Sequence, residues 1–265
     1  MTAPATALDD YAVFCEGVRR LCQVDLSQYK RNQMERRVRS FAERRGAGAL
    51  PAYLQTLERD PLELERFLDR MTINVSQLWR NPSQWATLAS SVMPDLAPRA
   101  GAPIRAWSAG SSYGAEAYTL AAVGQHAMPG VAWEIRGTDI DRRMVARARE
   151  GVFSETDARD APPEQLRRSF ERVPEGWRAG ATLRAVTSFE VGDLLRMSLR
   201  PQSYDLILCR NTVIYFTEDV RDALHQRLAQ ALRPGGCLMI GSTERVTDPG
   251  AIGLTPTHPF TYRKR

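Results

Sequence analysis

The sequence predicts an α/β fold in which an all-helical N-terminal domain precedes a doubly wound β-sheet. Two observations favour this fold. Apolar residues recur at helical spacing up to about residue 96, whereas beyond residue 103 short apolar runs typical of strands alternate with helical segments. A stretch rich in Pro, Gly and Ala at 97–103 separates the two patterns. We therefore predict a helical domain over residues 1–96 and a sheet domain over residues 97–265.

Apolar spacing and helix-ending residues predict the helices of the first half. Ala12, Cys15, Val18 and Cys22 share one face of the first segment. The second segment is strongly basic, because residues 29–45 hold seven basic and two acidic side chains. Such an excess of positive charge indicates an acidic partner surface. The predicted helices are 9–24, 29–45, 50–59, 61–71 and 82–91.

The second half is predicted as strands and helices in alternation. The rhythm lapses between about 153 and 187, which we interpret as a small inserted subdomain of β-structure. The C-terminal segment 260–264 is predicted as an edge strand. The other predicted strands are 104–109, 133–140, 188–191, 204–209 and 237–240, and the predicted helices are 115–126, 142–149 and 218–232.

Composition limits the function classes. Of the 265 residues, 43% are hydrophobic and 25% are charged, which is ordinary for a soluble globular protein. The sequence has no run of roughly 18 apolar residues and no signal-peptide pattern, so we expect a cytoplasmic protein without membrane insertion. The four cysteines form no CxxC pair and the three histidines are scattered, which predicts that no metal is bound.

A glycine-bearing loop follows the first predicted strand, at the edge where open α/β sheets bind ligands. It runs from Trp107 to Gly114. Gly110 and Gly114 let the backbone turn tightly and approach a ligand without a Cβ atom in the way. Packing between strand and helix explains the same glycines equally well.

Carboxylates follow two further strands. Asp139 is the candidate for binding ribose hydroxyls at the end of the second strand. Asp141 directly precedes a helix and is better explained as its N-cap. After a later strand, Asp193 is placed to accept a hydrogen bond from an adenine amino group while Leu194 covers the ring, although a polar turn residue is the simpler reading. Together these positions describe one nucleoside bound across the sheet.

The same region discriminates between two cofactor classes. The loop is not GxGxxG, and no phosphate-binding lysine follows it. Glu116 lies in the first turn of the next helix, where its carboxylate would repel a pyrophosphate but would pair with the ammonium of a methionine moiety. The sequence therefore favours S-adenosylmethionine over a dinucleotide.

Four segments resemble motifs of one known family, the chemotaxis receptor glutamate O-methyltransferases, or CheR family. Residues 72–82 (TINVSQLWRNP) resemble its TxNxTxFFR signature, and residues 209–216 (CRNTVIYF) resemble CRNVxIYF. Residues 107–118 (WSAGSSYGAEAY) are similar to SAxxSTGEEPYS, and residues 137–141 (GTDID) are similar to ATDID. The resemblance implies a Rossmann-like, class I S-adenosylmethionine-dependent methyltransferase domain behind a helical receptor-docking domain.

The resemblance also implies the roles of individual residues. Glu116 would hold the methionine amino group, Asp139 the ribose, and Gly110 would belong to the cofactor loop. Arg80 and Tyr215 would act as catalytic residues nearest the transferred methyl group, and S-adenosylhomocysteine would be the product. The further cofactor contacts that it implies are Asn74, Ser76, Arg80, Asp193, Leu194, Arg210 and Asn211.

The sequence departs from the family's loop motif at three positions. Tyr113 stands where the family has threonine, and Ala115 and Ala117 replace a glutamate and a proline. In many members the inserted subdomain docks a receptor C-terminal pentapeptide through a glycine-bearing β-loop. Here the corresponding segment 170–178 is short of that loop, which predicts receptor recognition without the pentapeptide.

The implied chemistry needs no general base. A glutamate carboxylate, with a pKa of about 4.3, is already ionised at neutral pH, so the task of the protein is positioning. Arg80 offers bidentate geometry to a carboxylate, either that of the substrate or that of the cofactor, the alternative being a surface arginine at a helix start. Tyr215 can orient the nucleophile with its hydroxyl, the alternative being a core tyrosine in an apolar stretch.

A stripe of Lys30, Arg37 and Arg44 lies beside the apolar face of the basic helix. This stripe predicts docking to acidic helices of the cytoplasmic domain of chemoreceptors, and a solvated helix face is the alternative. We expect the protein to act as a monomer.

Three other functions share parts of this pattern. A nucleic-acid methyltransferase commonly carries an Asp/Asn-Pro-Pro-aromatic loop, and the nearest counterpart, 211–215, lacks the prolines, so we predict no nucleic-acid partner. A carboxyl methyltransferase acting on another protein or a small molecule would have the same cofactor half. A non-catalytic receptor-binding scaffold would retain the fold, but the polar residues of the predicted site argue against it.

Overall fold

The computed structural model describes residues 9–71, 76–96 and 101–265. Its helices and strands confirm the α/β class with an all-helical N-terminal region. Among these residues, no helix combines the length and the apolar character that crossing a membrane requires.

The chain divides into two compact units. The helical unit comprises residues up to 73 together with Tyr215–Glu218, and the sheet unit comprises the rest. This division lies earlier in the chain than the predicted boundary at residue 96. The physical reason is that Leu78, Trp85 and Leu96 are buried in the same hydrophobic core as the strands of the sheet.

Aromatic packing and an ion pair with a buried carboxylate stabilise the helical unit. Phe14 and Phe67 pack edge to face with their ring centroids 5.7 Å apart. The buried carboxylate of Glu63 accepts hydrogen bonds from Nε of Arg45 (2.7 Å) and from the hydroxyl of Tyr53 (3.0 Å). The Arg45 guanidinium lowers the pKa of Glu63, so this carboxylate stays ionised at neutral pH. The helices of this unit are α1 (Asp10–Cys22), α2 (Arg31–Arg44), α3 (Leu50–Arg59) and α4 (Pro61–Met71).

The described strands form two sheets. In chain order they are β1 (Ile104–Ala109), β2 (Trp133–Asp139), β3 (Val152–Phe153), β4 (Phe170–Val173), β5 (Gly176–Ala179), β6 (Thr187–Val191), β7 (Tyr204–Cys209), β8 (Leu232–Ile240), β9 (Leu254–His258) and β10 (Thr261–Lys264). The main sheet has the order β6-β2-β1-β7-β8-β10-β9, in which the first five strands are parallel and β10 pairs antiparallel with both β8 and β9. A small sheet of order β3-β5-β4 confirms the predicted inserted subdomain.

Helices cover the main sheet and connect its strands. The helices between residues 82 and 231 are α5 (Pro82–Thr87), α6 (Ala115–Ala127), α7 (Arg142–Glu150), α8 (Pro163–Ser169), α9 (Ala181–Val186) and α10 (Glu218–Ala231). Gly124 of α6 lies so close to the indole of Trp133 on β2 that a Cβ atom there would be 2.7 Å from the ring, which explains the glycine within this helix. Residues 88–92 continue α5 as a π-helical turn.

The prediction that the C-terminal strand lies at an edge is wrong. β10 pairs with β8 on one side and with β9 on the other, so β9 is the edge strand. Strand β9 was not predicted, because Thr255, Pro256 and Thr257 lack the apolar alternation of a half-buried strand. A proline is tolerated there because an edge strand has backbone groups that need no partner.

The carboxyl ends of the five parallel strands meet at one edge of the main sheet. The register places Ala109 of β1 beside Thr138 of β2, and Cys209 of β7 beside Ile240 of β8. The loops that leave this edge therefore lie close together, and half of the predicted cofactor residues are in these loops.

Candidate functional site

The loop after β1 requires glycine at its first position. Gly110 has a φ angle of 80°, and a Cβ atom there would lie 2.5 Å from Oγ1 of Thr212. Its N–H donates to the carbonyl of Thr138 (2.9 Å), which fixes the turn against β2. Gly114, with a φ angle of 86°, then caps α6. These contacts explain Gly110 without a ligand, so its place in the cofactor site stays a prediction.

Asp139 is the last residue of β2, and its carboxylate binds the same loop. The residue is 8% exposed, its Oδ2 accepts the N–H of Ser112 (2.7 Å), and its Oδ1 accepts the N–H of Asp141 (3.0 Å). Each oxygen retains a second lone pair for a ribose hydroxyl. Asp141 accepts the N–H groups of Arg143 and Met144, which confirms that it is the N-cap of α7.

Cofactor affinity is expected to fall below about pH 6. Burial raises the pKa of Asp139 to about 6, with the charge of Asp141 acting in the same direction. The ionised fraction of Asp139 then drops from roughly nine-tenths at pH 7 to roughly a quarter at pH 5.5, so the dissociation constant of S-adenosylhomocysteine should rise about fourfold. Burial also raises the pKa of Glu116, which acts in the same sense. Calorimetric titration at both pH values measures this change, and an unchanged constant would contradict it.

Two hydroxyls in this loop indicate a polar ligand. Oγ of Ser111 and Oγ of Ser112 are buried, and neither has a hydrogen-bond partner among the described residues. Buried polar groups of folded proteins are nearly always satisfied. S-adenosylmethionine, with its ribose hydroxyls and carboxylate, offers suitable partners, so the residues present fit this cofactor. Sequence reasoning missed both serines, and the available signal was their position between two glycines of a strand–helix loop.

Glu116 is buried in the first turn of α6 and belongs to an ion pair. One carboxylate oxygen accepts a hydrogen bond from Oγ of Ser108 (2.7 Å), and the other from Nη1 of Arg210 (3.3 Å). Burial raises the pKa of Glu116, and the Arg210 guanidinium acts in the opposite direction. A methionine ammonium would therefore join this pair rather than meet an isolated carboxylate.

Arg210 follows β7 and links several parts of the site. Its side chain is 2% exposed. Nη2 donates to Oε1 of Gln84 (2.6 Å) and to the carbonyl of Arg80 (2.8 Å), and the guanidinium lies 5.0 Å from the ring centroid of Trp85. The described contacts of Arg210 thus run to Glu116 and to the segment around α5. These contacts give Arg210 a structural role. Its predicted contact with adenosine stays a prediction.

Arg80 lies between two residues with left-handed backbone. Trp79 has a φ angle of 53° and Asn81 one of 58°. Outside glycine such a conformation costs on the order of 1–3 kcal/mol, so neighbouring contacts must support it. Oγ1 of Thr119 accepts the N–H of Trp79 (3.1 Å), and Nε1 of Trp85 donates to the carbonyl of Arg80 (3.0 Å). Hydrogen bonds with Thr119 and Trp85 therefore fix the backbone at Trp79 and Arg80.

Two further predicted cofactor residues precede Arg80. Asn74 lies outside the described residues. Ser76 is half-buried, and its carbonyl accepts a hydrogen bond from the hydroxyl of Tyr113 in the glycine loop. The structure thus brings Ser76 to the loop through its backbone.

A carboxylate that sequence reasoning missed organises the loop after β7. Glu244 is buried and accepts the N–H groups of Gly241 (2.7 Å), Asn211 (2.9 Å) and Val213 (3.1 Å). Asn211 has a φ angle of 58°, so its backbone turns sharply at this point. Burial raises the pKa of Glu244. The available signal was a glutamate four residues beyond the end of β8.

Asp193 and Leu194 have local structural roles after β6. Oδ1 of Asp193 accepts the N–H of Leu195 (2.8 Å), as a polar turn residue does. The carbonyl of Leu194 accepts a hydrogen bond from Nη1 of Arg227 (2.6 Å), and the side chain of Leu194 is buried. These contacts explain both residues without a ligand, so the adenine contacts stay predictions.

In the helical unit, Tyr215 lies against the basic helix α2. Its carbonyl accepts the N–H of Lys30 (2.9 Å). A cavity of about 430 Å³, which we call the cationic cavity, is lined by Tyr215, Lys30, Arg36 and Arg37 together with Tyr29, Gln33, Met34 and Ser40. Arg44, predicted to act with Lys30 and Arg37, is not among the lining residues. The described geometry therefore brings Tyr215 together with Lys30 and Arg37.

Family comparison assigns both halves of the chain. Residues 74–258 match the CheR methyltransferase SAM-binding domain, and residues 9–72 match the CheR methyltransferase all-alpha domain. Fold, site and match together define an S-adenosylmethionine-dependent methyltransferase. The chain belongs to the CheR methyltransferase family, as its four sequence motifs predicted.

Similarity to individual relatives extends along nearly the whole chain. A chemotaxis protein methyltransferase from Listeria innocua is 32% identical over 255 residues, which cover 96% of this chain and 97% of that protein. A chemotaxis protein methyltransferase from Listeria monocytogenes is 31% identical with the same coverage. Chemotaxis protein methyltransferase 1 from Vibrio cholerae is 28% identical over 93% of each chain.

Proposed function

We propose that this enzyme transfers the methyl group of S-adenosylmethionine to glutamate side chains of bacterial chemoreceptors, producing glutamate methyl esters and S-adenosylhomocysteine. The names of its full-length relatives support a substrate in chemotaxis. The observation that carries the proposal is the cationic cavity, where Lys30, Arg36 and Arg37 surround Tyr215. Its positive charge favours acidic helices such as those of a cytoplasmic receptor domain.

The proposed mechanism assigns positioning roles to the residues of the chain. When bound, S-adenosylmethionine supplies a sulfonium methyl group to an already ionised glutamate carboxylate, so no residue has to act as general base. Asp139 binds the ribose and Glu116 the methionine ammonium. Arg80 orients the reacting carboxylate through its planar guanidinium, and Tyr215 does so through its hydroxyl. The further proposed cofactor contacts are Gly110, Asn74, Ser76, Asp193, Leu194, Arg210 and Asn211.

The proposed docking surface is the basic helix α2. Lys30 and Arg37 lie in the cationic cavity, and Arg44 lies one helical turn beyond Ser40, to whose Oγ it donates (2.6 Å). We further propose that the enzyme acts as a cytoplasmic monomer, with no metal and no nucleic-acid partner.

Incubation with methyl-labelled S-adenosylmethionine and purified receptor cytoplasmic fragments tests the proposal. Label should enter the fragments as base-labile methyl esters, and replacing the receptor glutamates with alanine should prevent this. Label that enters small carboxylic acids of a cell extract, but no receptor fragment, would favour a small-molecule carboxyl methyltransferase. The absence of any transfer by protein that binds the cofactor would reject both substrate classes.

Deleting the C-terminal tail of a receptor is expected to leave its methylation rate unchanged. β4 and β5 are joined by only Pro174 and Glu175, so this hairpin has a tight two-residue connection and offers little loop for a pentapeptide. Initial rates with full-length and tail-deleted receptor fragments measure this directly. A large loss on deletion would reject recognition without the tail.

Tyr215→Phe is expected to slow methyl transfer about tenfold while the affinity for S-adenosylhomocysteine stays within about twofold, because one hydroxyl contact to the reacting carboxylate is removed. Turnover assays and calorimetry measure the two quantities. Tyr262→Phe, on β10, serves as the matched control and should leave both unchanged. Equal rates for Tyr215→Phe and the wild type would mean that the hydroxyl takes no part in methyl transfer and that Tyr215 is a core tyrosine.

A further inference from the structure

Tyr113 occupies a central position in the glycine loop after β1. It follows Ser112, whose N–H is bound by Asp139, and is 4% exposed. Its hydroxyl lies within hydrogen-bonding distance of the carbonyl of Ser76 and 2.9 Å from Oδ1 of Asp157. The side chain thus extends from the proposed cofactor loop to two other parts of the sheet unit.

Asp157 and Arg147 fix the orientation of the Tyr113 ring. Nη2 of Arg147 donates to Oδ2 of Asp157 (2.7 Å), and its guanidinium lies 3.9 Å from the centroid of the ring. The N–H and the hydroxyl of Ser154 donate to the same carboxylate oxygen (both 2.9 Å). Burial and the Asp157 carboxylate raise the pKa of Tyr113, so its hydroxyl keeps its proton and remains a donor.

Ser76 begins the short segment that leads to Arg80. In this segment the N–H of Leu78 donates to the carbonyl of Asp157 (2.9 Å), and Nε1 of Trp79 donates to Oε1 of Gln165 (3.1 Å). Both contacts join the segment to the inserted subdomain. The contact between Ser76 and Tyr113 joins it to the glycine loop itself.

We propose that Tyr113 is a positioning residue, which couples the glycine loop to the backbone at Ser76 and thereby sets the place of Arg80 relative to a cofactor bound at the loop. This inference rests on the proposed function, since it takes the loop and Arg80 as parts of one methyl-transfer site. The threonine of the family motif carries its hydroxyl much closer to its own backbone, so it would not reach Ser76. The coupling is therefore a feature of this sequence rather than of the motif.

Tyr113→Phe tests the coupling because it removes the hydroxyl and retains the ring against Arg147. The single-turnover rate of methyl transfer, measured per mole of bound labelled S-adenosylmethionine, should fall about tenfold, the equivalent of one lost hydrogen bond. The dissociation constant of S-adenosylhomocysteine should change less than about threefold, because the loop atoms that meet the cofactor remain. A rate per bound cofactor equal to that of the wild type would overturn the proposal.

Tyr118→Phe is the matched control. Tyr118 is 2% exposed, and its hydroxyl donates to the carbonyl of Ala148 (3.1 Å), so its loss removes one buried hydrogen bond of the same unit. Its melting temperature should fall about as much as that of Tyr113→Phe, while its rate per bound cofactor stays at the wild-type value. Equal slowing in the two variants would mean that Tyr113 has only a general structural effect.

A double-mutant cycle tests whether the effect passes through Arg80. In an Arg80→Lys background, Tyr113→Phe should slow transfer less than about twofold, since the group that it positions has already been replaced. A full second loss of about tenfold would overturn the route through Arg80. Failure of the proposed function would appear differently, as the absence of methyl esters with the wild-type enzyme.

Discussion

Replacing Arg80 with alanine is expected to reduce methyl transfer by about a thousandfold or more, because effective positioning of a reacting carboxylate contributes several kcal/mol to the rate. Two contacts at this position involve its backbone: the carbonyl of Arg80 accepts hydrogen bonds from Arg210 (2.8 Å) and from Trp85 (3.0 Å). An alanine variant keeps that carbonyl and both hydrogen bonds, so we expect it to fold, and its melting temperature checks this.

The measurement compares turnover with labelled cofactor, melting temperature and affinity for S-adenosylhomocysteine. Arg105→Ala is the matched control, because Arg105 lies at the opposite end of β1 in an exposed pair with Glu134 and should affect none of these quantities. Wild-type turnover by the Arg80→Ala variant would remove this arginine from the mechanism. Loss of turnover together with unfolding would show instead that the side chain stabilises the segment.

Asp139→Asn is expected to weaken binding of S-adenosylhomocysteine by about a hundredfold. A carboxylate that accepts two ribose hydroxyls makes charge-assisted hydrogen bonds of about 1.5–3 kcal/mol each. The asparagine amide has only one acceptor oxygen. Its NH₂ group would face the N–H of Ser112 or of Asp141, both of which donate to the carboxylate in the wild type.

Asp139→Asn is not expected to destabilise the ligand-free protein. The folded-state pKa of Asp139 is about 6, above the usual value of 3.8, so at pH 7 the ionised carboxylate disfavours folding by about 3 kcal/mol, and this cost diminishes as the pH falls through 6. Removing the charge offsets the loss of one backbone hydrogen bond, so the melting temperature of the ligand-free variant should not fall.

Asp141→Asn is the matched control for this experiment. Asparagine is as good an N-cap as aspartate, so α7 should keep its start, and cofactor affinity should stay within about twofold of the wild type. If Asp139→Asn binds the cofactor as tightly as the wild type, the ribose is held elsewhere.

Local pattern predicted the elements of this fold well where each element is set by its own residues. The strand ends, the glycine loop and the capping role of Asp141 all follow from periodicity and from the chemistry of helix starts. The order of the last two strands does not, because it depends on which neighbours they pair with, and the residues of Leu254–His258 lack the apolar alternation that would indicate a strand.

The contacts among the residues of the candidate site could not be predicted from the sequence. Sequence placed Arg210 after a strand, but the partner that holds it, Gln84, lies 126 residues away. Glu244 was not predicted for the same reason. The N–H groups that donate to its carboxylate belong to another loop, 31 to 33 residues earlier in the chain. Contacts of this kind are created by the sheet edge, where distant segments are brought together.

The left-handed residues around this edge have a consequence for how the enzyme tolerates change. Trp79, Asn81, Ser112 and Asn211 all have positive φ angles. Glycine at any of them would relax the chain and loosen the edge, whereas a β-branched residue would force the turn open. These four positions therefore tolerate few replacements, whether the new residue is smaller or more branched.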